Sequence, residues 1–140
     1  MEDTIERILG RARRIAVVGL SDKPHRTSYQ VSSVLQRLGY EIVPVNPNID
    51  GSLGTEAYNS LAEVPGEIDL VDVFRREEHL PGIAEEAAER GVPALWNQLG
   101  LRSARARQIA EEAGMDYVED RCLKVEVQRR QGTMTLPPAA

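Results

Sequence analysis

Arg14-Ile15-Ala16-Val17-Val18-Gly19-Leu20-Ser21-Asp22-Lys23-Pro24-His25-Arg26-Thr27-Ser28-Tyr29-Gln30-Val31 holds an apolar run, Ile15 to Val18, that stops at a glycine. The run reads as a buried strand. A polar loop follows, and a helical pattern begins near Ser28, with Val31, Val34, Leu35 and Leu38 on one face and Gly39 as its stop signal. Strand, glycine turn and helix start together form a phosphate cradle. Glycine lets a ligand approach the backbone, and the unpaired N–H groups of a helix N-terminus attract an anion. The bland alternative is that Gly19 only ends a strand.

What is missing narrows the ligand. A dinucleotide fingerprint needs G-x-G-x-x-G at this turn, and Gly19-Leu20-Ser21 is followed by no second or third glycine. It also needs an acid after the second strand, whereas Glu41 to Val45 runs into Asn46-Pro47-Asn48. No Walker motif occurs, so ATP hydrolysis has no support. The loop instead carries Lys23 and Arg26, suited to pairing with phosphate. Either alone would by default be a solvated loop charge; their place before a helix start favours the anion role.

Working outward, Asp3 to Ala12 reads as a helix and Arg14 to Gly19 as the first strand. Glu41 to Val45 is the second, and Asn46 to Gly54 a Pro- and Gly-rich loop. Ala57-Tyr58 is a weak strand candidate, and Ser60 to Glu63 one helical turn. Ile68 to Phe74 is a clear strand, followed by a helix from Glu77 to Arg90 with Pro81 in its first turn. Pro93 to Trp96 and Asp116 to Val118 read as short strands around a helix from Ser103 to Ala113. Arg121 to Arg130 fits neither period cleanly. Strand–helix alternation predicts an α/β fold, a Rossmann-like parallel sheet with helices on both faces, in a single domain. The domain is expected over residues 1–130 and a flexible C-terminal tail over 131–140. Loops Leu20–Ser28, Asn46–Gly54, Phe74–Glu78 and Asn97–Gly100 are expected to meet at the switch point of the sheet.

The 140 residues suit one domain with one sizeable core. A net charge of −5 argues against general nucleic-acid binding. No apolar run approaches a membrane span, and the N-terminus does not resemble a signal peptide. The single cysteine, Cys122, excludes an internal disulfide and fits a reducing, cytoplasmic setting. His25 and His79 lie far apart with no second ligand at metal spacing, so no metal site is expected. No nucleophile–base pair suggests catalysis. Ser28 reads first as a helix N-cap. Asp72, among apolar neighbours on a strand, calls for a buried partner, with Arg121 the nearest candidate in kind. Cys122 reads as a small buried residue, or as a ligand-facing thiol beside Arg121.

Several ordered motifs then resemble the CoA-binding family: Gly19-x-Ser21, Pro24-x-Arg26-x-Ser28-Tyr29-x-Val31, and Pro44-Val45-Asn46-Pro47. Asp69-x-Val71-Asp72-Val73-Phe74-Arg75, Trp96-x-Gln98-Leu99-Gly100 and Asp120-Arg121-Cys122 extend the resemblance to most of the chain. Its stand-alone members are similar to the N-terminal domain of the succinyl-CoA synthetase alpha subunit. The resemblance implies a Rossmann-like fold holding coenzyme A. By position, Gly19, Leu20 and Ser21 would line the pyrophosphate, with Arg26 and Ser28 adding charged and hydroxyl contacts. Asn46, Pro47 and Asn48 would lie beside the 3′-phosphate and adenine, and Val73, Phe74 and Arg75 beside the adenine or pantetheine. Relatives often carry lysine where this chain has Asn48. The synthetase's catalytic histidine lies in a domain beyond this resemblance. The expectation is a non-catalytic module for CoA or acyl-CoA; the alternatives are an NAD(P)-linked oxidoreductase, another nucleotide-dependent enzyme, or an interaction protein with an empty fold.

Overall fold

A computed structural model describes residues 1–139; Ala140, the last residue of the expected tail, lies outside the described residues. Helix α1 (Glu2–Leu9) leads into β1 (Arg14–Val18), α2 (Thr27–Arg37) and β2 (Glu41–Val45). A two-residue pair, β3 (Gly51–Ser52) and β4 (Thr55–Glu56), precedes β5 (Leu70–Val73). Then come α3 (Leu80–Arg90), β6 (Ala94–Asn97), α4 (Ala104–Glu112), β7 (Asp116–Val118) and α5 (Leu123–Arg130).

The main sheet has the order β2-β1-β5-β6-β7, and every pairing in it is parallel. Side chains alternate across it, so each strand feeds two core layers. Ile15 and Val17 of β1 face a layer built with Ile5, Ile8 and Leu9 of α1, Val31 and Leu35 of α2, and Leu123 and Val127 of α5. Ala16 and Val18 face the opposite layer, closed by Ile83, Ala84 and Ala87 of α3 with Ala106, Ile109 and Ala110 of α4. The continuous apolar run Ile15–Val18 of β1 follows from this two-sided burial.

Two expectations change, and one open segment is decided. Ala57-Tyr58 forms no strand of its own; Tyr58 makes a single parallel bridge to Val45. The local pairing is instead the β3–β4 hairpin, turned by Leu53 (φ 55°) and Gly54 (φ 78°), both left-handed as a tight hairpin requires. The helix expected from Glu77 starts as a 3₁₀ turn, Glu77–His79, and becomes regular only at Leu80. The ambiguous segment after Arg121 is helical because Leu123 and Val127, four residues apart, fill the α1–α2 layer. On its inner side the buried Glu126 and Arg130 pair at 2.7 Å, and Arg130 also pairs with Glu2 of α1.

Asp72 is fully buried, and neither carboxylate oxygen has a hydrogen-bond partner. The expected partner, Arg121, lies instead 3.5 Å from Glu2 and 3.6 Å from Glu126. Burial therefore pushes the Asp72 carboxyl well above the ordinary carboxylate range. Beyond α5 the chain folds back toward the start of the sheet: Leu136 packs on the α1–α2 layer, and Arg13 donates to the Pro138 carbonyl at 2.9 Å. No helix among the described residues is long and apolar enough to cross a membrane.

Candidate functional site

Strand order reverses direction between β1 and β5, so the loops leaving their C-terminal ends part to opposite faces and leave a crevice. An open cleft of about 670 Å³ occupies that place. Its floor is set by Gly19, whose N–H donates to the Val45 carbonyl at 2.9 Å. Gly19 has φ +91°, and a Cβ there would lie 2.3 Å from the Phe74 carbonyl oxygen. Only glycine lets the ends of β1 and β5 come this close.

The loop after Gly19 is braced from both sides. The Ser21 N–H donates to Ser28 Oγ at 3.0 Å, and Ser21 Oγ accepts from the Lys23 N–H at 3.0 Å. Ser52 Oγ on β3 donates to the Ser21 carbonyl at 2.8 Å, while Asn46 Nδ2 donates to the Leu20 carbonyl at 3.0 Å. Asn46 Oδ1 accepts from the Asn48 N–H at 2.9 Å, an Asx turn that holds its side chain inward. Helix α2 starts at Thr27, so Arg26 holds the N-cap position without a side-chain cap bond. Ser28, expected as the cap, sits inside the first turn and uses its oxygen on Ser21. The helix terminus thus keeps its free N–H groups toward the cleft.

Gly19, Ser21, Arg26, Ser28, Phe74 and Arg75 line the cleft. The other expected residues do not. Leu20 and Val73 are buried in opposite core layers, and Lys23 is exposed on the loop outside the lining. Asn46, Pro47 and Asn48 also lie outside it; Asn46 stands behind the loop as a strut. Charge in the cleft is one-sided: Arg26, Arg75 and Arg76 border it, and no Asp or Glu does. Arg76 lies 3.5 Å from Glu78, whereas Arg26 and Arg75 form no ion pair among the described residues. Two unpaired arginines give this cleft a local positive charge in a protein of net charge −5.

The far wall carries Gln98, Leu99, Leu101 and Cys122; Cys122 has the chemistry of a ligand-facing thiol and Gln98 and Leu99 lie in a loop expected at the switch point, whereas nothing in the sequence pointed to Leu101. For the other three the signal was also present in the motif resemblance, and the two segments that contain them bind each other. The Trp96 indole N–H donates to the Arg121 carbonyl at 2.8 Å, and Gln98 Oε1 accepts from the Leu123 N–H at 3.0 Å. Asp120 Oδ1 accepts from the Gly100 N–H at 2.7 Å, and its other oxygen pairs with Arg102 at 2.6 Å. The Gly100 N–H, and then Arg102, hold the Asp120 carboxyl below its ordinary value. No cluster of three metal-ligating side chains occurs among the described residues.

Comparison with known proteins decides the family. Residues 13–128 match the family described as the CoA binding domain, which takes in the cleft and all but the edges of the fold. The chain belongs to the CoA binding domain family. As a CoA binding domain it is similar to the uncharacterized protein YneT of Bacillus subtilis, 54% identical over 121 residues, covering 86% of this chain and 90% of that one. It is 28% identical over 124 residues to the ADP-forming acetate–CoA ligase II alpha subunit of Pyrococcus furiosus. That alignment covers 81% of this chain and 27% of the subunit, so the CoA binding domain spans about a quarter of the ligase chain. A solved structure, a hypothetical protein from Pyrococcus horikoshii, superposes with a TM-score of 0.88 at 34% identity, covering 92% of this chain and 91% of that one. The Rossmann-like fold and a CoA-related function follow from this membership.

Proposed function

We propose that the protein binds coenzyme A or an acyl-CoA in this cleft, in the cytoplasm, and does not turn it over. The observation that carries the reading is the pairing of a glycine-forced close approach at Gly19 with two arginines, Arg26 and Arg75, that lack carboxylate partners. The pyrophosphate would lie across the Gly19–Ser21 backbone and the α2 N-terminus, with Arg26 and Arg75 supplying charge. Leu99 and Leu101 give the far half of the cleft an apolar surface suited to the pantetheine arm.

The test is thermal stability against CoA, acetyl-CoA, 3′-dephospho-CoA, NAD and NADP. A ligand that binds only the folded state adds about 2.7 kcal/mol at a hundredfold excess over its Kd. At roughly 4 °C per kcal/mol for a domain of this size, the midpoint rises by about 10 °C. Arg26→Ala should weaken CoA binding by about 10- to 100-fold, the worth of one charge-assisted hydrogen bond. A response to NAD or NADP without one to CoA would overturn the reading.

A further inference from the structure

Cys122 is the only thiol in the chain, half-buried, and it lines the far wall of the cleft. Its backbone is held on both sides by buried side chains of the β6 end. The preceding carbonyl, of Arg121, accepts from the Trp96 indole, and the following N–H, of Leu123, donates to Gln98. Trp96 is fully buried and Gln98 is 3% exposed, so the thiol stands on a rigid support rather than a loose loop. Gln98 adds a second observation. Its oxygen must face the Leu123 N–H, so its amide NH2 is turned the other way. That NH2 donates to nothing among the described residues and belongs to a nearly buried side chain that lines the cleft. An open donor on the same wall as the thiol suits a ligand carbonyl. The pantetheine arm of CoA carries amide carbonyls and ends in a thiol.

We propose that Cys122 is a covalent capture site for CoA: with CoA disulfide it forms a mixed disulfide in which the pantetheine arm lies along Gln98, Leu99 and Leu101. The inference rests on the CoA-binding reading above. In the reaction the Cys122 thiol gives its proton to solvent and its sulfur attacks one sulfur of CoA disulfide. The CoA–CoA S–S bond breaks as the Cys122–CoA bond forms. The second CoA leaves as a thiolate and takes up a proton. Two electrons pass from Cys122 to the departing CoA, so one thiol is consumed and one released, and CoA disulfide is the sole oxidant. A thiol such as glutathione reverses the step.

The experiment compares the rate at which CoA disulfide and glutathione disulfide modify the full chain, followed by intact mass with peptide mapping of the modified residue. Docking of the phosphates first should make CoA disulfide at least tenfold faster, with the adduct on Cys122. Arg26→Ala should remove that advantage, and Cys122→Ser should give no adduct. Equal rates for the two disulfides in the wild-type chain, or no adduct after hours, would overturn the proposal whether or not the variants fold. Calorimetry with reduced CoA and a phosphine reductant separates the two levels. Binding there without selective modification removes only the capture site, and absence of binding removes the CoA reading itself.

Discussion

Replacing Gly19 by alanine tests the geometric heart of the cleft. The added Cβ would meet the Phe74 carbonyl oxygen at 2.3 Å, the Arg75 Cδ at 2.9 Å and the Phe74 carbonyl carbon at 3.0 Å. The first contact is about 1 Å inside normal separation, and two of the three atoms are backbone, so no rotamer change relieves them. At φ +91° alanine also pays a backbone cost of about 1–2 kcal/mol. Forcing the ends of β1 and β5 apart adds about 1–3 kcal/mol, as overpacking does elsewhere. Gly114→Ala supplies the control, since Gly114 has φ +74° and nothing within 4 Å of its would-be Cβ. Only the backbone cost applies there. Urea unfolding should place Gly19→Ala below Gly114→Ala by about 1–3 kcal/mol, roughly 1 M in midpoint. Gly19→Ala should also lose the CoA-dependent rise in melting temperature, because the displaced strands carry the phosphate loop. Equal stability of the two variants would refute the claim that strand approach, rather than backbone conformation alone, demands glycine.

Two further outcomes follow from buried charge. The folded state holds a proton on Asp72 that the unfolded chain releases near its ordinary value of 3.8, so Asp72's stabilising contribution is complete below that pH. It falls as pH rises from there toward the elevated folded-state value, since the native state then binds more protons than the unfolded one. Asp72→Asn should therefore gain stability relative to wild type as pH rises above the ordinary Asp value of 3.8 in urea unfolding, and a difference independent of pH would contradict the account. Glu126→Ala leaves Arg130, whose side chain is 8% exposed, with only Glu2 as counter-charge. Removing one member of such a pair costs about 3 kcal/mol. A loss below about 1 kcal/mol would show that Glu2 suffices.

The alternation of strands and helices was legible in the sequence because its signals are local. Apolar runs of strand length, helical spacing such as Val31 and Leu35, and stop glycines such as Gly39 and Gly91 act within a few residues. That alternation, with right-handed crossovers, was enough to place a parallel sheet and its cradle at Gly19. Packing had to settle the remainder, because it depends on partners far along the chain. Leu53 takes a left-handed conformation that no local preference favours; its carbonyl is held by Gln36 Nε2 at 3.0 Å and its side chain packs on the core. Arg121 to Arg130 becomes a helix only where Leu123 and Val127 find the layer under α1 and α2. Asn46 had the residue type of a ligand contact, yet its amide is drawn inward by the Leu20 carbonyl, and the Asn46–Gly54 loop braces the site from outside the cleft. Gln98 and Cys122 sit 24 positions apart in sequence and share a wall because Gln98 caps the start of α5. Sequence alone determined which elements form and where the glycine turn lies. Tertiary structure decided which side chains share the cleft, because a side chain's direction depends on the group it meets across the fold.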